Sequence, residues 1–432
     1  MKINYGSTTF ISIKILTLMK IYYSCIIILL ILCSTVYPVN AQHTKVQKIQ
    51  HVLDSIRIEY ENAAKNKIPS LNVLIHTPSD YIFVSSNAPG ETPVTENTYF
   101  RFASNTKNFT ATSILNMQED GWLDIKSKIT DLIPGSTIPF IPDSPDFNIP
   151  YKDQITIEQL LNHSAGVYDI DNDSVPGLDG LTYVEYMTKK DSGFQFELNE
   201  LVNQDALNQL SYFAPGQGFH YSNTGYTMLG EIIERVYTFR SGKRKYYADY
   251  LNDYITGSLT TAGPMEIFFP YLSSQISIPE PFVKGNIFMP GGTFLVLEKQ
   301  NMSANVADGN GIGTMALLNK YIRSLMKGES VLTAKSVELM KNTVSEHNKT
   351  YGLGCFYVEN LGYGHNGNIK GYLSQMFYDP LTDVSVIMMT NAVDYNHEMP
   401  GLLNGLYTLN NTGYAAREIL DLPANKLTTL VK

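Results

Sequence analysis

Two residues of the stretch "FRFASNTKNFTA", Ser104 and Lys107, have the types and the spacing of a nucleophile and its general base. A serine hydroxyl attacks a carbonyl group at neutral pH only when a neighbouring group removes its proton. Lysine can be that group only where burial or a nearby positive charge lowers its pKa towards neutrality. The spacing alone is weak, because Ser324 and Lys327 repeat it. Ser104 could instead be a helix N-cap, and Lys107 a solvated surface residue.

A second polar group, Tyr221-Ser222-Asn223, lies between a Pro-Gly turn and an amphipathic helical pattern. A tyrosine hydroxyl can pass a proton between serine, lysine and a leaving group. An asparagine amide can bind both a lysine and a substrate carbonyl. The same Tyr-x-Asn spacing begins at Tyr60 and Tyr250, both within helix-like sequence, so only the context distinguishes Tyr221.

The third polar group, His365-Asn366-Gly367, begins a strand-like segment, and His-x-Gly occurs nowhere else in the sequence. A glycine at position 367 would let a substrate backbone approach the edge of the strand. The next N–H group, that of Asn368, could complete an oxyanion hole with the N–H of Ser104. The alternative is a turn glycine beside an ordinary surface histidine.

The segments around these residues predict a sheet built from both ends of the chain. Apolar residues recur with helical periodicity over 46–60 and over about 104–119. "LNVLIH" and "YIFVSS" predict a hairpin, and "GCFYVEN", "GYLSQMFYD" and "VSVIMMTNA" predict three further strands. We therefore expect an α/β fold in which an antiparallel sheet is flanked by helices and a mainly helical region is inserted. The cleft between the two parts is the expected binding site.

These patterns also predict the boundaries of the parts. The predicted divisions are a signal peptide at 1–41, the sheet part at 42–120 and 301–410, the helical part at 121–300, and a C-terminal tail at 411–432.

The first 41 residues have the pattern of a secretory signal. They hold Lys2, Lys14 and Lys20 without an acidic residue, and the apolar run "CIIILLILC" precedes "VYPVNAQ". This run is too short to span a bilayer comfortably. We expect cleavage after Ala41 and export to the periplasm or the medium, with no stable membrane anchor. A retained anchor is the alternative, and Met19 is a second possible start.

The composition argues against nucleic acid as a partner, and it indicates that the fold is stabilised by a hydrophobic core and not by disulfides. Loss of the leader removes Cys25 and Cys33, so that Cys355 has no partner for an internal disulfide. With 44% hydrophobic residues, the chain is long enough to bury one large core or two joined cores. The formal charge of −9 becomes −12 without the three leader lysines, which makes nucleic acid an unsuitable partner.

The three polar groups resemble the motifs of the class C β-lactamase and serine D-Ala-D-Ala carboxypeptidase superfamily of penicillin-recognising enzymes. "SNTK", "YSN" and "HNG" stand in that family's order, and "LLNHSAGV" is similar to its Leu-Leu-x-His-Thr-Ser-Gly-Leu. "YSNTGYTMLGEIIERV" resembles its second motif and the following helix, while "YGLGCFYV" and "YDPLTDVSVIMMTN" are similar to its closing strands. The resemblance covers about residues 69–392 and implies a β-lactamase-like fold with Ser104 as the nucleophile.

The resemblance implies a two-step acyl transfer that needs no metal or other cofactor. Ser104 would attack the carbonyl while Lys107, helped by Tyr221, takes the proton. Tyr221 would then return a proton to the leaving group, and water would release the acyl group. The implied substrate-binding residues are Asn223, His365, Asn366, Gly367 and Asn368.

The third motif favours a peptidase. The β-lactamases of this superfamily have Lys-Thr-Gly where this chain has His365-Asn366-Gly367, which resembles the His-Thr-Gly of the soluble D-Ala-D-Ala carboxypeptidases. We therefore expect small-peptide substrates, cell-wall peptides among them. An esterase or a β-lactamase acting on ester or β-lactam substrates is the alternative within the superfamily. A penicillin-binding or sensor-like protein without turnover is the alternative outside enzymes.

Three other patterns predict structure more than chemistry. Asp169, Asp171 and Asp173 alternate as in a calcium loop, but the later Gly and Glu of an EF-hand are missing, which favours a solvated loop. "GNGIG" at 309–313 lacks the full GxGxxG spacing and predicts the turn before a helix. For His163 in "LLNHSAG", the family resemblance implies a structural turn and not a catalytic base.

Overall fold

A six-stranded antiparallel sheet lies at the centre of the protein, whose computed structural model describes residues 44–258, 260 and 262–424. The strands are, in chain order, β1 (Ser70–His76), β2 (Tyr81–Asn87), β3 (Phe100–Arg101), β4 (Gly285–Met289), β5 (Thr293–Leu297), β6 (Ile312–Gly313), β7 (Phe356–Val358), β8 (Gly362–Ile369), β9 (Tyr372–Asp379), β10 (Val384–Thr390) and β11 (Ala392–Asp394). The large sheet has the order β2-β1-β10-β9-β8-β7. The two ends of the described chain meet in it, because β1 pairs with β10.

Two smaller sheets accompany the large one. One has the order β11-β4-β5, with β11 parallel to β4 and β4 antiparallel to β5. The other consists of β3 and β6, which pair through Phe100 opposite Gly313 and Arg101 opposite Ile312. This pairing brings the segment after residue 305 beside the segment that leads into Ser104 and Lys107.

Helices cover both faces of the large sheet. They are α1 (44–64), α2 (Thr106–Glu119), α3 (Ile157–Leu161), α4 (Tyr183–Lys190), α5 (Leu198–Asn208), α6 (Asn223–Ser241), α7 (Tyr247–Tyr250), α8 (Met315–Met326), α9 (Ala334–Asn342) and α10 (Glu398–Ile419). The start of α6 is fixed by Ser222, whose hydroxyl accepts a hydrogen bond from the Gly225 N–H at 3.0 Å. This cap places Tyr221 and Asn223 on either side of the helix start.

The alternation of apolar residues along β1 divides the interior into two cores. Leu71, Val73 and Ile75 face a core shared with α1 and α10, whereas Leu74 faces the larger core around α2. Side chains of a strand point alternately to opposite faces, so apolar residues of β1 contribute to both cores, while its buried Asn72 donates a hydrogen bond to the Met389 carbonyl. The central strands β1, β9 and β10 are therefore buried on both faces, whereas the edge strands β2 and β7 are partly exposed.

The helix α2 lies inside the larger core and is buried on all sides. Eleven of its fourteen residues are buried, including polar ones. Its threonines find partners: Thr110 Oγ1 donates to the Ala307 carbonyl at 2.6 Å, and Thr112 Oγ1 to the Asn108 carbonyl at 2.8 Å. A helix held on every side gives the residues at its N-terminus a fixed position.

The predicted fold is confirmed, while some boundaries differ from the prediction. The α/β architecture, with an antiparallel sheet built from both chain ends and flanked by helices, is the one observed. The region 121–300 contains the helices α3 to α7, which long loops connect, and it also contains the hairpin β4–β5. The predicted tail at 411–432 begins inside α10, which continues to Ile419 and packs on the sheet. Its apolar residues explain this packing.

The predicted signal peptide at 1–41 lies outside the described residues. Within the part of the chain that the structure describes, no helix combines the length and the hydropathy that crossing a membrane requires.

Candidate active site

Ser104 lies in a short 3-10 turn, Ala103–Asn105, immediately before α2. Ala103 has a φ of 52°, in the left-handed region that residues with a Cβ adopt at a cost of about 1–2 kcal/mol. Within 101–115, Ser104 alone is not buried. It is not a helix cap, because neither the turn nor α2 has a capping side-chain hydrogen bond. The strained turn thus exposes one hydroxyl in an otherwise buried segment.

Neighbouring strands hold this turn, which we call the nucleophile turn (residues 102–105), from two sides. The Phe102 N–H donates to the Gly311 carbonyl at 3.1 Å. The Phe102 carbonyl accepts hydrogen bonds from Asn105 Nδ2 at 3.0 Å and from Ser374 Oγ, on β9, at 3.1 Å. Fixed contacts of this kind can stabilise a strained backbone conformation at a functional site.

Lys107 is fully buried beneath Ser104. Its Nζ lies 3.4 Å from Ser104 Oγ, 2.6 Å from Asn223 Oδ1 and 3.0 Å from the Asp308 carbonyl oxygen. The Asp308 carboxylate is also close, at 3.9 Å. Lys107 is therefore not a solvated surface residue.

These contacts suit Lys107 for proton exchange with Ser104. An amine nitrogen has three positions besides its bond to carbon. The Asn223 and Asp308 oxygens accept hydrogen bonds and occupy two of them. The third faces Ser104, where it is an N–H when the amine is charged and a lone pair when it is neutral. Ser104 Oγ therefore lies within reach of the position on Lys107 through which a proton could pass between the two groups.

Tyr221 completes the group around Ser104. The Lys107 ammonium lies 4.7 Å from the centre of the Tyr221 ring. Burial raises the pKa of Tyr221, and the charge of Lys107 and hydrogen bonds to Lys107 and Ser104 oppose that rise. The structure therefore brings together the three predicted catalytic residues, with the Lys107 ammonium between the Ser104 hydroxyl and the Tyr221 ring.

Asn223 connects Lys107 to a carboxylate that the sequence analysis assigned to a solvated loop. Its Nδ2 donates to Asp171 Oδ2 at 2.7 Å, while its Oδ1 faces Lys107. Asn305 Nδ2 donates to the same Asp171 oxygen at 3.2 Å. Burial raises the pKa of Asp171 to about 6, and the nearby Asp169 carboxylate adds to the rise. Asp171 remains partly exposed, so a carboxylate borders the predicted substrate-binding amide.

The strand β8 passes directly beside the nucleophile turn. A Cβ at Gly367 would lie 2.2 Å from the Phe102 carbonyl oxygen and 3.1 Å from Ala103 Cβ. Gly367 therefore allows the protein's own backbone to approach, where the sequence analysis expected a substrate. Asn368 follows on the same strand, and Tyr395 Oη donates to its Oδ1 at 3.2 Å. Its oxyanion role stays a prediction, as does substrate binding by the partly exposed Asn366.

His365 is placed differently from the prediction. It is fully buried, and both ring nitrogens have protein partners: Nε2 lies 2.9 Å from Tyr351 Oη, and Nδ1 lies 2.5 Å from the Asn366 carbonyl oxygen. Burial lowers its pKa to about 3. The strand alternation turns this side chain inward. Its imidazole thus has no free nitrogen for a leaving group, contrary to the expected contact.

Several residues near the site were not singled out for it by sequence. Asp308 follows Ala307, which has a φ of 74°, and one of its carboxylate oxygens is buried without a hydrogen-bond partner among the described residues. Burial raises the pKa of this carboxyl well above its usual range, and Lys107 opposes that rise. Tyr351 lies in the quoted stretch "YGLGCFYV", so the family resemblance could have signalled it, whereas Asp308 carries no such signal.

The remaining sequence patterns have structural explanations. Asp169 is buried, and its Oδ2 accepts a hydrogen bond from the Asn223 N–H at 3.0 Å, so the expectation of a solvated loop is wrong there. In the region that the structure describes, no group of three or more His, Cys, Asp or Glu side chains could hold a metal ion. The "GNGIG" segment precedes α8 as predicted, and it also contains β6 and supports the nucleophile turn.

Comparison with known families identifies the chain. A family model described as Beta-lactamase matches residues 56–402, a span that contains Ser104, Lys107, Tyr221 and His365. The chain belongs to the beta-lactamase family. This membership agrees with the resemblance of the three motifs and with the observed fold.

Curated relatives match this beta-lactamase family member over part of their length. The chain is 30% identical over 186 residues to Penicillin-binding protein 4* of Bacillus subtilis (strain 168). The aligned residues make up 42% of this chain and 32% of that protein. The chain is 29% identical over 223 residues to the Putative fimbrial assembly protein FimD, serogroup D, of Dichelobacter nodosus, which is 49% of this chain and 50% of that protein. The matches thus span a third to a half of these relatives.

Solved structures share the beta-lactamase-like fold over most of the chain. A D-amino acid amidase from Ochrobactrum anthropi SV3 superposes with a TM-score of 0.66 at 22% identity, covering 87% of this chain and 98% of that one. A D-stereospecific amidohydrolase from Streptomyces sp. superposes with a TM-score of 0.61 at 21% identity, covering 78% and 93%. At these identities the likeness establishes the fold.

Proposed function

We propose that this protein is a serine hydrolase that cleaves amide bonds of D-amino-acid-terminated peptides through an acyl-enzyme on Ser104. The observation that carries the proposal is the partly exposed Ser104 hydroxyl, 3.4 Å from the buried Lys107 Nζ, with the Tyr221 ring beside that same ammonium. A nucleophile within reach of a base that is itself fixed by a third group is the arrangement that acyl transfer requires.

In the proposed reaction, Ser104 Oγ attacks the substrate carbonyl while its proton passes to the Tyr221–Lys107 pair. The N–H groups of Ser104 and Asn368 receive the negative charge on the carbonyl oxygen. The Tyr221 hydroxyl then protonates the leaving amine, which breaks the amide bond and leaves an ester on Ser104. Water attacks this ester by the reverse proton transfers and releases the acid.

The third motif supports peptides over β-lactams as substrates. In place of the lysine that the β-lactamases of the superfamily carry, β8 has the buried, neutral His365. A fixed cation would hold the carboxylate of a β-lactam by a charge-assisted hydrogen bond, which is about twice as strong as a neutral one. We expect slow or negligible turnover of penicillins and some cleavage of small activated esters. Export to the periplasm, which would place the enzyme beside cell-wall peptides, is part of this proposal.

The direct test compares kcat/KM for a D-Ala-D-Ala peptide, nitrocefin and a nitrophenyl ester on the purified protein. Peptide cleavage with little nitrocefin turnover is expected. Rapid ester cleavage without peptide cleavage would replace the peptidase with an esterase. Stoichiometric labelling by a fluorescent penicillin without turnover of any substrate would show a penicillin-binding protein.

Asp171 favours a second candidate, a D-aminoacyl amidase. Its partly exposed carboxylate, held by Asn223, is suited to the free ammonium of an amino acid amide, a substrate that D-amino acid amidases cleave. Asp171→Asn should lower kcat/KM for a D-amino acid amide roughly tenfold or more, because hydrogen bonds to charged groups contribute about 1.5–3 kcal/mol.

The control substitution is Asp173→Asn, two residues away, whose carboxylate accepts a hydrogen bond from Tyr212. N-acetylated amides should be cleaved equally well by both variants, since they carry no ammonium. Equal loss on free and acetylated substrates would argue against the amidase.

A further inference from the structure

A chain of hydrogen bonds runs behind the active site from the start of α6 to β8. The Ser222 N–H lies 3.1 Å from His163 Nδ1, and His163 Nε2 lies 3.1 Å from Tyr351 Oη. Tyr351 Oη lies 2.9 Å from His365 Nε2, and His365 Nδ1 lies 2.5 Å from the Asn366 carbonyl oxygen. The chain therefore joins the second catalytic motif to the third through two histidines and a tyrosine.

The groups at the two ends of this chain of hydrogen bonds determine which atom of each member carries the proton. A backbone N–H can only donate, so His163 Nδ1 accepts and its Nε2 carries the proton. A carbonyl oxygen can only accept, so His365 Nδ1 carries the proton and its Nε2 accepts. Tyr351 then accepts from His163 and donates to His365, which uses its single O–H. All the bonds point in one direction, and both imidazoles are neutral.

Burial preserves this arrangement. His163, Tyr351 and His365 are exposed by 3%, 5% and 0%. Burial and the nearby charge of Lys107 lower the pKa of both histidines, that of His163 well below its usual range. A buried polar network stabilises a single arrangement only when each of its members is hydrogen-bonded, and each member of this chain is.

His163 also holds the tyrosine that touches the reacting groups. Its ring lies 4.4 Å, centre to centre, from the ring of Tyr221. Its carbonyl accepts a hydrogen bond from the His220 N–H at 3.1 Å, and its ring accepts one from Ser222. The residues on both sides of Tyr221 are thus bound to His163, which has a φ of 59° in its turn.

We infer that His163, Tyr351 and His365 form a positioning unit that sets the Tyr221 phenol against Ser104 and Lys107 and fixes its distance from β8. None of the three is placed at the reacting atoms, so they act through Tyr221. The inference rests on the proposed acyl-transfer function. It assigns His163 a role beyond the structural turn that the family resemblance implied.

Tyr351→Phe tests the unit by removing one hydroxyl and leaving the ring. The expected result is a kcat for a nitrophenyl ester lowered roughly tenfold to a hundredfold, the scale of a misplacement of about 1 Å. KM should change less than about twofold, because no substrate-binding group is altered. The matched control is Tyr363→Phe, on β8, whose ring packs on Tyr357 and which lies outside the chain of bonds. Its kcat should equal that of the wild type.

A second variant, His163→Asn, interrupts the chain between Ser222 and Tyr351 and is also the reserve if Tyr351→Phe does not fold. If the three residues act as one unit, the double variant should lose little more kcat than the worse single variant. Independent losses that multiply, or a Tyr351→Phe kcat within twofold of wild type, would overturn the inference. Absence of any wild-type turnover or Ser104 labelling would instead refute the proposed function itself.

Discussion

The serine–lysine spacing of the active site recurs in α8, where the two side chains have other partners. Ser324 Oγ donates to the Tyr321 carbonyl at 3.0 Å, within its own helix. Lys327 Nζ pairs with Asp383 at 3.1 Å and is partly exposed. Ser104, by contrast, is freed from the helix by the strained turn and faces a fully buried amine. The surroundings of a serine therefore decide its reactivity when the spacing is equal.

Ser104→Ala should abolish hydrolysis and covalent labelling, because it removes the hydroxyl that would attack the substrate and carry the acyl group. Ser324→Ala is the matched control and should keep both, since it removes only a helix hydrogen bond. Activity and labelling by a fluorescent penicillin, measured on equal amounts of folded protein, give the comparison. An inactive Ser324→Ala beside an active Ser104→Ala would refute the assignment of the motifs.

At the scale of elements, the site depends on how closely β8 approaches the nucleophile turn. Gly367 has no side chain where the Phe102 carbonyl comes near, and Ser374 on the adjacent β9 donates to the same carbonyl. The distance between these elements sets where Ser104 stands relative to Asn368. A change in β8 should therefore also move the nucleophile turn.

Gly367→Ala should push the turn away from β8, because its Cβ would lie 2.2 Å from the Phe102 carbonyl oxygen. Overpacking of this kind costs about 1–3 kcal/mol, and we expect kcat to fall with it. Thermal unfolding and ester hydrolysis measure the two effects. In Gly193→Ala the nearest atom would be Asp191 Oδ1 at 3.4 Å, an ordinary contact, so this control should match the wild type. Full activity of Gly367→Ala would contradict the close approach.

Sequence predicted the elements whose pattern is local and missed those set by distant contacts. β1, β2, β9 and β10 are rich in apolar, aromatic and β-branched residues, and the helix after Ser104 has helical periodicity, so both could be predicted. β8 contains three glycines and few apolar residues, which hid the fact that His365 lies in its middle. The bond between His163 and Tyr351 joins residues 188 positions apart. Patterns among neighbouring residues of a sequence cannot indicate a contact between residues so far apart.

At the scale of the whole molecule, we propose that the mature protein begins at Gln42 after export. The apolar run and the small Ala41 before the cut motivate this proposal. N-terminal sequencing of protein isolated from its host should find Gln42 first, in the periplasmic or extracellular fraction. A chain that keeps the apolar run and sediments with membranes would contradict it.

One buried acid, Asp205, should make the stability of the whole molecule depend on pH. Asp205, in α5, is 1% exposed, and neither carboxylate oxygen has a hydrogen-bond partner among the described residues. Burial raises its pKa well above the usual range, and Asp169 adds to the rise. An acid with a higher pKa in the folded state stabilises the fold fully below its unfolded pKa of about 3.9. That contribution is lost as the pH rises through the folded pKa.

Asp205→Asn should therefore raise the melting temperature at pH 8 and change it much less at pH 4, because the amide cannot ionise. Each kcal/mol should shift the midpoint by about 1 °C in a chain of this size, because the unfolding entropy grows with length. Asp80→Asn is the control of opposite sign: a hydrogen bond from Lys45 lowers the pKa of Asp80, so its contribution is present at pH 8 and lost on acidification. Its substitution should lower the melting temperature at pH 8. Equal shifts of Asp205→Asn at both pH values would show that the pKa of its carboxyl is not raised in the folded protein.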